Sequence, residues 1–255
     1  MIVAALQARS SSSRLPGKIL KPILGMPMLA RQIERILRSR RIDKLVVATS
    51  ALAEDQAVAD LAAAAGVDCY RGSLDDVLDR MYQAVAPYSP DLMVRLTGDC
   101  PLADWDVIDK VVSFAEEGGY DYASNTLQPT WPDGLDVEVV RFEAFDIAWR
   151  EATTTLDREH VMPFLYRNKE RFKLGNTVRD VDLSGLRWTV DEPADFAFVT
   201  KIYEALYPAN AAFSTADILT YLASHPDVVA LNAGIERNEG YKRAMEKLAK
   251  VTGHG

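Results

Sequence analysis

The stretch IVAALQARSSSSRLPGKILKPI, residues 2–23, decides how the rest of the chain is read. It opens with an apolar run, Ile2 to Leu6, of the kind a strand needs when both its faces are buried. The loop that follows carries Arg9, Arg14 and Lys18, four consecutive serines and a Pro-Gly turn. A loop leaving a buried strand with that many hydroxyl and backbone N–H donors, and three cations, suits a polyphosphate. It is neither of the common phosphate loops. Gly17-Lys18 is followed by Ile19 rather than Ser or Thr, Ser12 stands where the first Walker glycine would be, and no spaced dinucleotide glycines are present. Such a loop can also be a solvated basic surface.

Outward from that loop the pattern alternates. Strands are predicted at Ile2–Ala8, Lys44–Thr49, Val67–Tyr70 and Leu92–Leu96, and helices at Met28–Arg40, Glu54–Ala65, Asp75–Val85 and Trp105–Glu117. In the first helix Leu29, Ile33, Ile36 and Leu37 form one stripe. Strict β-α alternation implies an α/β fold, a mostly parallel three-layer sheet with helices on both faces. From Tyr120 to Val178 the rhythm changes, with an alternating strand at Leu135–Val140, helical pieces at Glu143–Thr153 and Glu159–Lys169, and a strand at Phe172–Val178. This segment, about 120–178, reads as an inserted α+β lobe of a single domain spanning 1–255, because Arg187–Val190 looks like a return to the main sheet. Pro193 can open a helix running to Leu206, Ser214 with Asp217 resembles a capping pair, and Gly240–Val251 is an amphipathic tail helix.

The 255 residues carry a net charge of −8, which argues against nucleic-acid or anionic-membrane binding and makes the cationic loop a local anion site. Cys69 and Cys100 form no metal-binding pattern and fit a reducing compartment. With no apolar run of about 18 residues and no leader pattern, a cytoplasmic protein is expected.

Three groups fall at the carboxyl ends of predicted strands, where open α/β sheets bind ligands: the Arg9–Lys18 loop, Asp99 and Asp191. Two carboxylates converging on a polyphosphate would hold Mg²⁺. Either aspartate could instead cap the helix that follows it.

The string ARSSSSRLPGKIL resembles the signature loop of the sugar-activating cytidylyltransferases, which make CMP-keto-deoxy-octulosonate and CMP-sialic-type acids. Within that group it is most similar to the spore-coat polysaccharide biosynthesis branch. RLTGDCPL and WTVDEPADF resemble the family's two metal-binding segments, with Asp99 and Asp191 at the metal positions. The resemblance implies a Rossmann-like nucleotide-diphospho-sugar transferase sheet and a homodimer built on the inserted lobe, with Phe142, Phe145 and Trp149 as interface aromatics. It also implies Mg²⁺-dependent transfer of CMP from CTP to a small acidic, nonulosonate-like sugar. Arg9, Arg14 and Lys18 would cradle the triphosphate, and Leu6, Ala8 and Ser10 would meet the nucleotide. Arg71, Asp79 and Arg80 fall in a segment similar to the family's nucleotide side, and Thr97 stands where the octulosonate enzymes have glutamine. Asn125, Gly134, Asp136, Glu138, Glu159 and His160 lie in segments similar to the sugar-facing ones. Asp79 and Arg80 could equally be exposed helix charges, and Asp136 and Glu138 solvent-facing strand residues. The rival readings are a nucleotidyltransferase using another NTP or a sugar phosphate, a glycosyltransferase, and a non-catalytic nucleotide-binding scaffold. A glycosyltransferase would use an Asp-x-Asp motif, which Asp104-Trp105-Asp106 spells at a predicted helix start.

Overall fold

The structure, a computed structural model, describes residues 1–235. The chain runs β1 (Ile2–Gln7), the short hairpin strands β2 (Pro22–Ile23) and β3 (Met26–Pro27), α1 (Met28–Ile36), β4 (Lys44–Ser50), α2 (Gln56–Ala64) and β5 (Asp68–Gly72). Then follow α3 (Val77–Val85), β6 (Leu92–Thr97), α4 (Trp105–Gly118), β7 (Tyr122–Ser124), β8 (Glu138–Arg141) and α5 (Phe142–Glu151). The last described elements are α6 (Thr155–His160), α7 (Pro163–Arg167), β9 (Leu174–Asn176), α8 (Pro193–Leu206), α9 (Thr215–Ala223) and α10 (Pro226–Val229).

Seven strands form one sheet in the order β5-β4-β1-β6-β8-β7-β9. β1 lies parallel between β4 and β6, which explains its unbroken apolar run. Ala4 and Leu6 pack into a core shared with Leu29 and Ile33 of α1, Val111 of α4 and Val199 of α8. Val3 and Ala5 face the opposite core with Leu78 and Met81 of α3 and Phe145 of α5. β8 runs antiparallel to both β6 and β7, so the change of rhythm after Tyr120 marks the reversal of strand direction within the same sheet. The 120–178 segment thus adds β7, β8 and β9 to the sheet edge, while α5 and α7 help cover the α3 face.

Several expected elements are corrected. α1 stops at Ile36 rather than Arg40, and Leu37 is exposed. There the Ser39 hydroxyl accepts the N–H groups of Arg41 and Ile42 at 3.2 Å each and turns the chain. The strand expected at Leu135–Val140 begins only at Glu138. Before it, the Asn125 side chain donates to the Leu135 carbonyl (2.8 Å) and accepts the Val137 N–H (2.9 Å), taking over the groups a ladder would use. The helix expected at Glu159–Lys169 is split into α6 and α7 at Val161, whose φ is 75°, just ahead of Pro163. Arg187–Val190 does not return as a strand. It docks across two loops, through a single bridge to Asp133 and a Val190 N–H bond to the Asp99 carbonyl (2.8 Å). The Ser214–Asp217 capping box and Pro193 at the start of α8 are present as expected. The tail helix expected at Gly240–Val251 lies outside the described residues. Among the described residues no helix is long and apolar enough to cross a membrane.

Candidate active site

The strand order reverses at β1: β4 and β5 extend to one side and β6 to the other. An open cleft of about 940 Å³ lies there, at the place open α/β sheets reserve for ligands. Its lining includes Arg9, Arg14, Thr97, Asp99 and Asp191, together with Asp136, Glu138, Glu159 and His160.

The loop after β1 is shaped by Gly17, whose φ of 67° permits a tight turn, with the Gly17 N–H bonded to the Ser10 carbonyl at 3.1 Å. This turn feeds Lys18 inward. The side chain, only 8% exposed, donates to the Val190 carbonyl (2.6 Å) and Asp191 Oδ1 (2.8 Å), with Asp99 Oδ2 at 3.5 Å. Burial pushes the ammonium pKa down, but Asp99 and Asp191 outweigh it and hold the value above the usual lysine range. Asp191 Oδ2 meets Arg14 at 3.0 Å and Arg187 at 3.1 Å. Burial alone would raise the Asp191 pKa, and Lys18, Arg14 and Arg187 instead keep it below the carboxylate range.

Asp99 reaches this point because the strand end is pinned. The Gly98 N–H bonds the Gln7 carbonyl at 2.8 Å, and a Cβ on Gly98 would lie 2.9 Å from that of Ala8, so only glycine allows the approach. Gln32 Nε2 holds the Thr97 carbonyl at 2.7 Å. Gly134, with φ of 108°, similarly lets its loop press on residues 188–189, where a Cβ would come within 2.5 Å of the Thr189 nitrogen. Neither aspartate caps a helix: Asp104 caps α4 and Glu192 caps α8. Asp104 also accepts the Thr215 N–H and hydroxyl in a buried setting, so the Asp-x-Asp spelling is structural.

Two hard-oxygen carboxylates therefore converge on one cation, the Lys18 ammonium, at the edge of a cleft. That donor set fits Mg²⁺, which commonly takes one or two protein carboxylates and completes its shell with phosphate oxygens and water. Among the described residues no group of three or more His, Cys, Asp or Glu side chains is arranged to hold a metal.

Other expected site residues fall away from the cleft lining. Leu6 and Ala8 are buried, with the Ala8 N–H on the Ala48 carbonyl. Ser10 is anchored through its N–H to Asp55 (2.6 Å), a fully buried carboxylate that also accepts the Ser50 hydroxyl. Arg71 donates to the Ser50 and Leu52 carbonyls and braces the β4–α2 connection. Asp79 accepts the Trp149 indole N–H at 2.8 Å. Arg80 is fully buried and donates to the Ser73 and Leu74 carbonyls, beneath a loop whose Leu74 and Asp75 do line the cleft. Asn125 and Gly134 shape the loops just described. Arg9 is exposed, lines the cleft and has no ion pair among the described residues.

In the same lining Glu138 pairs with Arg95 and accepts the Tyr122 hydroxyl at 2.7 Å, while Arg95 also donates to Gln7 Oε1 at 2.9 Å. Burial lowers the pKa of half-buried His160, with Glu159 opposing it, which favours the neutral imidazole. Gln7, Arg95, Asp133 and Arg187 line the cleft too, none of them singled out from sequence as site residues. Arg187 was findable in principle, four residues before Asp191. Asp55, 45 residues from the Ser10 it anchors, carries no local signal.

Fold and site together define a nucleotidyltransferase, an enzyme whose loop cations and paired carboxylates face a cleft at the sheet's switch point. The chain belongs to the cytidylyltransferase family, whose model matches residues 3–221. It is 33% identical to an uncharacterised protein of Methanocaldococcus jannaschii over 96% of this chain and 99% of that one. It is 28% identical to the spore coat polysaccharide biosynthesis protein SpsF of Bacillus subtilis, over 89% and 95% of the two chains. A solved cytidylyltransferase from Leptospira borgpetersenii superposes with a TM-score of 0.85 at 29% identity, covering 92% of this chain and 99% of that one.

Proposed function

We propose that the protein transfers the cytidylyl group of CTP to a hydroxyl of an acidic, nonulosonate-like sugar, releasing pyrophosphate, for surface polysaccharide or glycan synthesis. The observation that carries this reading is the Arg14–Lys18–Asp99–Asp191 cluster on the edge of the cleft. The sugar oxygen forms a bond to the α-phosphorus as the bond from that phosphorus to the pyrophosphate oxygen breaks. Negative charge on the triphosphate repels the nucleophile, and more develops on the leaving group. Arg9, Arg14 and Lys18 stabilise that charge from fixed positions without covalent participation. Mg²⁺, held by Asp99 and Asp191, would supply further charge stabilisation and lower the pKa of a coordinated hydroxyl. Asp136, Glu138, Glu159 and His160 line the same cleft and are assigned to the sugar, with Arg9 kept for the triphosphate. A different NTP is a second reading, favoured by Thr97, which lines the cleft with a short hydroxyl. Incubation with each NTP, Mg²⁺ and a panel of sugar acids should release pyrophosphate with CTP well above the rest. Equal release from all four would remove the cytosine assignment.

His160→Ala is expected to raise the apparent KM of the acceptor about tenfold while leaving that of CTP within about twofold, since a contact on one side only is lost. Steady-state kinetics with each substrate varied in turn checks this. A larger effect on CTP would move His160 to the nucleotide side.

The protein is also proposed to act as a homodimer. Phe145 is fully buried in the core and unavailable to an interface, which corrects the sequence expectation. Phe142 and Trp149 stack instead on Tyr82, at centroid distances of 5.6 and 4.1 Å, as a half-buried aromatic surface. Light scattering should give twice the chain mass, with an interface burying about 2,000 Å² or more. A fully active monomer at high micromolar concentration would refute it.

A further inference from the structure

We propose that Asn232 is a positioning residue for the Asp191 carboxylate, acting through Asp195 and Arg187; this rests on the reading of Asp191 as a metal ligand. Asp195 is fully buried in the first turn of α8. Its Oδ2 accepts the backbone N–H groups of Asp191 and Glu192, both at 2.9 Å, and Arg187 Nη2 at 3.0 Å. Its Oδ1 accepts Arg187 Nε at 2.9 Å and Asn232 Nδ2 at 3.1 Å. The same Asn232 nitrogen donates to the Arg187 carbonyl at 2.9 Å. Asn232, buried beyond α10, thus clamps the Asp195 side chain to the Arg187 backbone.

The consequence lies in how one guanidinium is shared. Arg187 is shared among the carboxylates of Asp195, on two nitrogens, Asp133 at 3.2 Å and Asp191 at 3.1 Å. The fork of Nε and Nη2 on Asp195 fixes the plane of the guanidinium, so Nη2 reaches Asp191 while already engaged with Asp195. Asp191 is thereby oriented, and its Oδ1 remains on the Lys18 ammonium at 2.8 Å. Without Asn232, Asp195 Oδ1 and the Arg187 carbonyl lose their shared donor, and Arg187 can pair more fully with Asp191 and compete with the metal for it. Outer groups of this kind typically cost 10–100-fold in metal affinity when removed.

The test measures CTP binding by titration calorimetry without acceptor, once in excess Mg²⁺ and once in EDTA. The ratio of the two affinities is the metal's contribution. In Asn232→Ala the ratio should fall about tenfold, with CTP affinity in EDTA unchanged. Asp195→Asn should do the same, and the double variant should be no worse than the poorer single, as for groups in one network. Asn232→Ser carries the measurement should the alanine variant not fold. An unchanged ratio in Asn232→Ala, whatever happens to its melting temperature, overturns the proposal provided that Asp191→Asn abolishes the metal's contribution. If Asp191→Asn also leaves the ratio unchanged, the metal-ligand reading itself fails.

Discussion

Lys18→Ala should lower turnover by two to three orders of magnitude, the usual effect of removing a fixed charge-stabilising group. The ammonium is positioned by three oxygens, from Val190, Asp191 and Asp99, and is buried. The loop reads from sequence as surface chemistry, with the substitution leaving the fold untouched. Burial changes that expectation. Removing one partner of a buried ion pair costs about 3–5 kcal/mol, but Asp191 keeps Arg14 and Arg187, so the loss should fall below that range. For a chain of this size that is a fall of several degrees in Tm, since each kcal/mol is worth about 2–4 °C. Lys18→Arg should not restore activity, because a planar fork cannot replace a compact ammonium among converging oxygens. A folded Lys18→Ala protein with wild-type turnover would remove Lys18 from the chemistry.

Asp99→Asn and Asp191→Asn should each lower Mg²⁺-dependent turnover by about a thousandfold or more, as the loss of several kcal/mol of charge stabilisation requires. The substitutions remove a hard anionic ligand with almost no change of shape. Helix capping offers no alternative account, because Asp104 and Glu192 fill the caps of α4 and α8. EDTA should reduce the wild type to the level of either variant, and added Mg²⁺ should rescue the wild type alone. If only one variant loses activity, the other carboxylate serves Lys18 and not the metal.

The buried half of this site is where sequence and structure part. The β1 strand is legible because a short apolar run bounded by turn residues suits a strand buried on both faces, as it proves to be, and a Pro-Gly turn signals the exit. The Ser214–Asp217 cap is legible because both partners lie within one turn. β7 spans three residues and offers no periodicity to detect. The break between α6 and α7 depends on Val161 at positive φ, a conformation no local pattern assigns to valine. Lys18 reads as an exposed cation until Asp99 and Asp191, 81 and 173 residues away, are brought around it. Arg187, Asp195 and Asn232 are likewise ordinary polar residues in a linear reading. Only docking of the 187–195 segment against Asp133 and the chain beyond α10 makes them a network.

In the proposed reaction a sugar oxygen displaces pyrophosphate from the α-phosphorus of CTP. Phosphorus NMR of the wild-type protein with CTP, Mg²⁺ and a nonulosonate acceptor tests it directly. The three CTP resonances should decline together while pyrophosphate and a single sugar-linked phosphodiester rise in equal amounts. Consumption of CTP to CDP and phosphate, or pyrophosphate without a phosphodiester, would contradict it.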